Sequence, residues 1–154
     1  MSQFLGTHLS RRDAKGRVSV PASFRAALKN GGDDNTVQLI LRPSHQHPCI
    51  EAWPVSVFES LANPLDHMNL FSPEQEDLAA ILYADAFPVE SDKEGRIVLT
   101  ENLVTHAGLQ DSVTFMGLGR TFQLWEPSAA EHRRQAARDR ARERGFTLPG
   151  GSAQ

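Results

Sequence analysis

The stretch Asp13-Ala14-Lys15-Gly16-Arg17-Val18-Ser19-Val20 returns later in the chain as Asp92-Lys93-Glu94-Gly95-Arg96-Ile97-Val98-Leu99. In each copy the aspartate side chain can accept hydrogen bonds from backbone N–H groups further along, and the glycine can adopt a positive φ. The arginine then begins an apolar run whose composition suits a β-strand. A turn that feeds a strand is therefore encoded twice, which predicts two copies of one structural unit.

A short helical pattern follows each of these turns. Pro21 opens the first pattern and the glycine-rich residues 30–32 close it, while Thr100 and Gly108 take these places in the second. Two apolar runs come next in each half, and the last run ends in a tryptophan, at Trp53 and Trp125. Period-two alternation in these runs favours strands over helices. Each unit is thus expected to hold about four short strands and one small helix.

The size of the units predicts how they pack. A unit of roughly 45 residues with one small helix buries little apolar surface by itself. We therefore expect the two units to pack on each other or interleave in one pseudo-symmetric body.

The remaining segments have helical patterns. Residues 54–61 carry apolar side chains at helical spacing, and Ser72 followed by Pro73 has the form of an N-cap and first turn. Ser128 with Glu131 three residues later resembles a capping box for a helix that Gly145 would end.

Composition limits the class of protein. The chain has 154 residues, 40% of them hydrophobic, and no apolar run long enough to cross a bilayer. Its first residues lack the basic and apolar regions of a secretory signal, and the single Cys49 cannot form an internal disulfide. These features predict a soluble protein of the reducing cytoplasm.

Charge is distributed unevenly along the chain. The overall net charge is −3, yet residues 1–32 hold six Lys and Arg against one acid, a net charge of +5. Residues 33–130 have a net charge of −11, and residues 131–144 return to +3. The first turn is therefore the basic pole of an otherwise acidic protein, as a local nucleic-acid contact requires.

Three segments carry a resemblance to a known family. LSRRDAKGRVSVPASFR after Phe4-Leu5-Gly6, DKEGRIVLTENLVTHAGL, and the closing FQLWEP resemble the bacterial MraZ family, whose two halves are SpoVT/AbrB-type DNA-binding domains. The resemblance implies an α+β fold, a pseudo-two-fold duplicated AbrB-like β-barrel of two βαββ-type repeats with peripheral helices. The chain departs from the common family pattern at Leu5, where a basic residue is usual, and at Thr100, where proline is usual.

The resemblance also implies a function. It predicts a cytoplasmic, nucleoid-associated transcriptional regulator that acts on a division and cell-wall gene cluster including its own gene. Such proteins form homo-oligomeric rings and read short direct repeats in double-stranded DNA, without a membrane. We expect repeats at residues 7–56 and 85–128, connecting helices at 57–84, a C-terminal helix at 129–146 and a disordered tail at 147–154.

The first turn is the predicted DNA-binding site. It is expected to be the tip of a β-hairpin in the first repeat, since a major groove admits a two-stranded ribbon and arginine can donate two hydrogen bonds to guanine. The residues expected to contact DNA are Arg11, Arg12, Lys15 and Arg17, with Arg17 as base reader and the others on phosphates. A structural ion pair between Arg17 and Asp13 is the alternative, and the two roles are compatible.

The second turn has a different prediction. Glu94 replaces the lysine of the first turn and other acids surround Arg96, so Arg96 is expected to be structural. The residues predicted to form the two turns are Asp13, Gly16, Asp92, Gly95 and Arg96.

The sequence allows further interpretations of the C-terminal arginines, of the histidine-containing loop and of the function. Arg134, Arg138 and Arg142 form one stripe that could touch DNA or another subunit, although pairing with nearby acids favours an ordinary solvated helix. The spacing of His45, His47 and Cys49 does not match zinc motifs, and the chain has no catalytic motif, so we expect no metal, no cofactor and no enzyme. The alternative function is an oligomeric, antitoxin-like module that binds a protein partner.

Overall fold

A computed structural model describes residues 3–28 and 36–149 of the chain. The strands of this region are β1 (Thr7–Arg11), β2 (Arg17–Ser19), β3 (Gln38–Pro43), β4 (Ile50–Trp53), β5 (Phe87–Glu90), β6 (Arg96–Val98), β7 (Ser112–Gly117) and β8 (Phe122–Trp125). Its helices are α1 (Ala22–Leu28), α2 (Val55–Glu59), α3 (Ala62–Asp66), α4 (Pro73–Ala79), α5 (Glu101–Ala107) and α6 (Pro127–Arg144). A π-helical turn at Ala80–Ala84 extends α4. The mixed α+β class is confirmed.

The two halves exchange strands. Six antiparallel strands form one sheet in the order β1-β7-β8-β4-β3-β5, and β2 pairs with β6 in a separate ribbon. This order is unchanged when the four strands of the first half are exchanged with those of the second. The first strand of each half pairs with the third strand of the other, so the halves interleave, which is one of the two arrangements expected from the size of the units.

The six-stranded sheet remains open. Strands β1 and β5 are its edges, and the hydrogen-bond ladder does not continue from either edge onto the β2–β6 ribbon. The predicted hairpin of the first repeat is wrong, because β1 and β2 lie in different sheets. Between them a side chain makes the contact, with Ser10 Oγ donating to the Ser19 carbonyl at 3.0 Å. The closed barrel expected from the resemblance is therefore not confirmed.

Aromatic side chains from both halves share one core. Phe24 of α1 lies 4.8 Å from Phe122 of β8 between ring centroids, and Phe4 contacts both rings. Phe115 completes this fully buried group. Gly117 allows the approach of the amino-terminal segment, since a Cβ there would lie 2.4 Å from the Phe4 carbonyl oxygen. Each buried aromatic side chain contributes on the order of 2 kcal/mol, so neither half has a complete core alone.

Most helix ends follow the capping residues that the sequence indicates. Ser72 Oγ accepts from the Gln75 N–H at 3.1 Å, and Thr100 Oγ1 accepts from the Leu103 N–H at 3.5 Å. Gly108 ends α5 with a φ of +62°, in the left-handed region that glycine tolerates. The predicted stop of α1 at residues 30–32 lies outside the described residues, as do residues 150–154 of the predicted tail.

The predicted capping box of the last helix is wrong. Helix α6 begins at Pro127, and its cap is Glu126, whose carboxylate accepts from the Ala129 N–H at 2.8 Å. Proline is favoured at the first helical position, so it moves the helix start ahead of Ser128. Gly145 ends the helix as predicted, with a φ of +65°.

Candidate nucleic-acid interface

The first turn is held by one aspartate. Asp13 Oδ1 accepts from the backbone N–H groups of Lys15 at 2.9 Å and Arg17 at 2.8 Å, and Oδ2 accepts from Arg17 Nε at 2.7 Å. Gly16 has a φ of +77° and its N–H donates to the Asp13 carbonyl. The pKa of Asp13 is lowered below its ordinary value of 3.8, mainly because its carboxylate accepts a hydrogen bond from the Arg17 backbone N–H. The hydrogen bonds of the turn therefore stabilise the charged form of the Asp13 carboxylate.

The second turn repeats this geometry. Asp92 Oδ1 accepts from the N–H groups of Glu94 at 3.0 Å and Arg96 at 2.9 Å, and Arg96 Nε donates to Oδ2 at 2.8 Å. Gly95 has a φ of +82°. The Arg96 backbone donor likewise lowers the pKa of Asp92. Near-identical distances follow from the shared DxxGR pattern.

The two turns differ in what covers them. Arg25 of α1 lies over Gly95, donating from Nη1 to the Glu94 carbonyl at 2.9 Å, and a Cβ at Gly95 would be 2.2 Å from that nitrogen. The equivalent position on α5 is Val104, which is too short to reach the other turn. A Cβ at Gly16 would meet no described atom within 4 Å. The first turn is therefore open where the second is covered.

The terminal nitrogens of the two arginines also differ. Arg96 Nη2 forms an ion pair with the Glu94 carboxylate, while Lys15 takes that place beside Arg17. Among the residues that the structure describes, Arg17 bonds only through Nε and its backbone N–H and C=O. The Asp92 side-chain hydrogen bond is the main cause that raises the pKa of Arg96. Among the described residues, Arg17 Nη1 and Nη2 therefore have no hydrogen-bond partner, whereas Arg96 Nη2 is paired with the Glu94 carboxylate.

The predicted DNA-contacting residues do not all have free side chains. Arg11 and Lys15 are exposed at the end of β1 and on the turn. Arg12 instead donates from Nη1 to the Gln110 carbonyl at 2.6 Å, and its backbone N–H donates to Asp111 at 2.8 Å. Arg12 thus anchors the base of the first turn to the loop before β7, a tertiary contact that sequence spacing does not reveal.

Val98 is a further residue of this surface that the sequence reasoning missed. In the β2–β6 ribbon Arg17 lies opposite Val98, and Ser19 lies opposite Arg96. The central pair, Val18 and Ile97, is buried, so the other four side chains form the outer face of the ribbon. Val98 is 54% exposed there. The alternation around Ile97 is the signal that places Val98 outside, but the pairing of β6 with β2 is not visible in the sequence.

The loop with two histidines and Cys49 is used for packing. His45 Nδ1 lies 3.0 Å from Arg42 Nη2, and the His47 ring packs against Trp125. Burial raises the pKa of Cys49 to about 12, so the thiol stays protonated. Across the described part of the chain no group of three or more His, Cys, Asp or Glu residues could hold a metal ion.

Ion pairs between neighbouring turns lie along helix α6. Arg134 pairs with Glu131, and Arg142 lies 3.6 Å from Asp139, both at a spacing of three residues. The arginine stripe is therefore partly neutralised within its own helix, as the solvated-helix reading predicts. In the described residues no helix is long and apolar enough to cross a membrane.

Comparisons with known proteins give one consistent result. A family model described as "MraZ protein, putative antitoxin-like" matches residues 3–80 and 82–144. The chain is 68% identical over 142 residues to the transcriptional regulator MraZ of Gluconobacter oxydans, covering 92% of this chain and 87% of the relative. It is 61% identical to the protein of that name from Gluconacetobacter diazotrophicus, covering 93% and 90%. It is 39% identical to the transcriptional regulator MraZ of Azorhizobium caulinodans, covering 99% of this chain and 95% of the relative.

Proposed function

This chain belongs to the MraZ family, and on that premise we propose that it is a DNA-binding transcriptional regulator whose reading element is the first turn. It is not an enzyme, in line with the relatives named transcriptional regulators. Its target is the upstream region of its own division and cell-wall gene cluster, where it reads direct repeats.

The observation that carries the proposal is the difference between the two turns. The same backbone device occurs twice, but Arg25 and Glu94 occupy the second copy, while the first is open and basic. A two-stranded ribbon can enter a major groove about 12 Å wide, and the first turn offers it an arginine whose two terminal nitrogens have no hydrogen-bond partner among the described residues. The two copies therefore divide the work between DNA contact and structure.

Each basic residue has a distinct role in the proposal. Arg17 reads guanine, since its Nη1 and Nη2 have no partner among the described residues while Asp13 holds Nε and fixes the orientation of the guanidinium plane. Arg11 and Lys15 hold phosphates on either side. Arg12 positions the turn through the Gln110 carbonyl and adds positive charge at its base.

Several turns must act together for useful affinity. One turn makes only a few phosphate contacts, and non-specific affinities of such sites are on the order of 10⁻⁴ to 10⁻⁶ M. A ring of identical subunits facing direct repeats raises the effective concentration of every further turn after the first has bound. We place repeats at residues 7–56 and 85–128 of each subunit, each an AbrB-like unit contributing to a barrel-like body. The ring would be cytoplasmic and associated with the nucleoid.

The experiment compares two arginines in equivalent positions. Fluorescence anisotropy measures binding to DNA from just upstream of the gene and to a shuffled duplex, across a salt series. We expect wild type to prefer the upstream duplex by at least tenfold. Arg17→Ala should abolish this preference, and the matched control Arg96→Ala should keep it.

Two outcomes would contradict the proposal. One is equal binding of wild type to both duplexes, and the other is an equal loss of preference in the two variants at unchanged oligomer size. The first result would favour the alternative of an antitoxin-like module that binds a protein partner, and the second would show that the first turn is not by itself the reading element.

A further inference from the structure

The outer face of the β2–β6 ribbon has two unlike halves. One half pairs Arg17 with Val98, and the other pairs Arg96 with Ser19. Each half takes its arginine from one repeat and its neighbour from the other. In the part of the chain that the structure describes, the arginine of the first half bonds through Nε of its guanidinium and lies beside an apolar side chain. The arginine of the second half bonds through both Nε and Nη2 and lies beside a hydroxyl.

Val98 lies outside the hydrophobic core. Its neighbour Ile97 is 1% exposed and belongs to the core, while Val98 points away from the core and is 54% exposed. An apolar side chain beside a basic turn is the arrangement that contacts the 5-methyl group of thymine in a major groove.

If Arg17 contacts a guanine, Val98 lies close enough to contact a neighbouring base. Asp13 holds Arg17 Nε at 2.7 Å, so the guanidinium stays close to the ribbon instead of extending from it. A guanine can meet such an arginine only if the ribbon itself approaches the base edges. Side chains directly opposite each other in antiparallel strands have Cβ atoms about 5 Å apart, while successive bases of one strand are about 3.4 Å apart. The base that Val98 meets therefore lies within one or two steps of the guanine.

We propose that Val98 determines specificity by contacting the 5-methyl group of a thymine next to the guanine that Arg17 reads. This inference rests on the proposed DNA-binding function and adds to it a second reading residue, contributed by the acidic repeat. The reading element is thus composite, with one side chain from each repeat.

The test removes only the methyl group. Two upstream duplexes are compared, one with thymine and one with deoxyuridine at every thymine position, since uracil keeps the base pair and the O4 acceptor. Wild type should bind the deoxyuridine duplex about fourfold more weakly for each thymine contacted, the value of one methyl group removed from water. Val98→Ser, which copies the residue at the equivalent position of the first repeat, should bind both duplexes alike.

Controls separate this inference from the proposed function. Ser19→Ala changes the other half of the ribbon and should keep the wild-type ratio between the two duplexes. If wild type prefers upstream over shuffled DNA but binds thymine and deoxyuridine duplexes equally, the inference is wrong and the regulator stands. An unchanged ratio in folded Val98→Ser would also overturn it. The wild-type ratio decides the question even if that variant fails to fold, and loss of the upstream preference itself would overturn both.

Discussion

Arg25 on the first helix lies over Gly95 in the second turn, with its Nη1 2.9 Å from the Glu94 carbonyl oxygen that precedes that glycine. This contact joins the two repeats and covers one of two otherwise matching turns. Because the first turn has no such cover, its glycine and its arginine remain available to a partner molecule.

Alanine substitution of the two glycines should separate backbone strain from this contact. Gly16→Ala should lower the free energy of unfolding by about 1–2 kcal/mol, because both turns require a positive φ. Gly95→Ala should lower it by about 1 kcal/mol more, since Arg25 must move and lose its hydrogen bond. Urea denaturation measures both. In the Arg25→Ala background the two glycine variants should become equal, and a persistent difference would contradict the role of Arg25.

Lys15→Ala should reveal a phosphate contact. The variant should weaken binding to upstream and shuffled duplexes by the same factor, because phosphates carry no sequence information. The slope of log affinity against log salt should decrease in magnitude by about 0.9 for each lost contact. A loss confined to the upstream duplex would instead make Lys15 a base reader.

The conservative variant Arg17→Lys tests geometry against charge. It keeps a positive charge at the turn but lacks the planar fork that donates two bonds to guanine and one to Asp13. We expect the affinity for shuffled DNA and the salt slope to be nearly unchanged and the preference for upstream DNA to be mostly lost. Retained preference would show that charge alone suffices at this position.

The two turn aspartates predict an acid dependence of stability. Their pKa values are lowered in the folded protein, so the stability they provide is present above the ordinary value of 3.8 and is lost as pH falls through the folded values. The double variant Asp13→Asn/Asp92→Asn should be less stable than wild type at pH 6. In urea denaturation the difference should begin to shrink below about pH 4 and should vanish only below the lowered folded pKa values of the two aspartates. Parallel pH profiles would show that neither carboxylate depends on its charge.

A buried ion pair in the first repeat has an uncharged counterpart in the second. Arg42, 1% exposed, pairs with Glu51 opposite it, and Met116 lies opposite Gln123 at the equivalent place. Arg42→Met should lower the free energy of unfolding by about 3–5 kcal/mol, since Glu51 is left without its partner.

The double variant tests whether the uncharged pair of the second repeat, Met116 with Gln123, can replace the ion pair of the first. Adding Glu51→Gln to Arg42→Met should recover most of the lost stability, as Gln123 already accepts from the Trp125 indole N–H just as Glu51 accepts from Trp53. Thermal and urea denaturation of the single and double variants measure the recovery. Additive losses would show that the contacts of Arg42 with His45 and with the Ile81 carbonyl, not its pairing with Glu51, account for the stability it provides.

Local features were predictable because they depend on near neighbours in the chain. The DxxGR turns, the cap at Thr100 and the strand ends at Trp53 and Trp125 all appear in the structure. The misplaced start of α6 shows a competition between two local signals, in which Pro127 with Glu126 prevails over Ser128.

Contacts between distant residues were not predictable from the sequence. Arg12 bonds to Gln110, Arg25 covers Gly95 and Val98 lies opposite Arg17, and each contact joins the two repeats. Duplication was visible in the repeated motif, but the order in which strands of the two copies pair depends on tertiary packing. The candidate surface is therefore one that half of the chain cannot form.

The exchange of strands between the halves has a consequence during synthesis. Among the described residues, strand β1 pairs with Ser112–Gly117, so its backbone partner is available only after most of the chain has been synthesised. Pairings so far apart in sequence form slowly, since a long loop must close first. Asp13 can close the basic turn with its near neighbours, but the pairing of β2 with β6 and the bond from Arg12 to Gln110 require the second repeat. A truncated nascent chain therefore has no assembled surface with which to bind DNA.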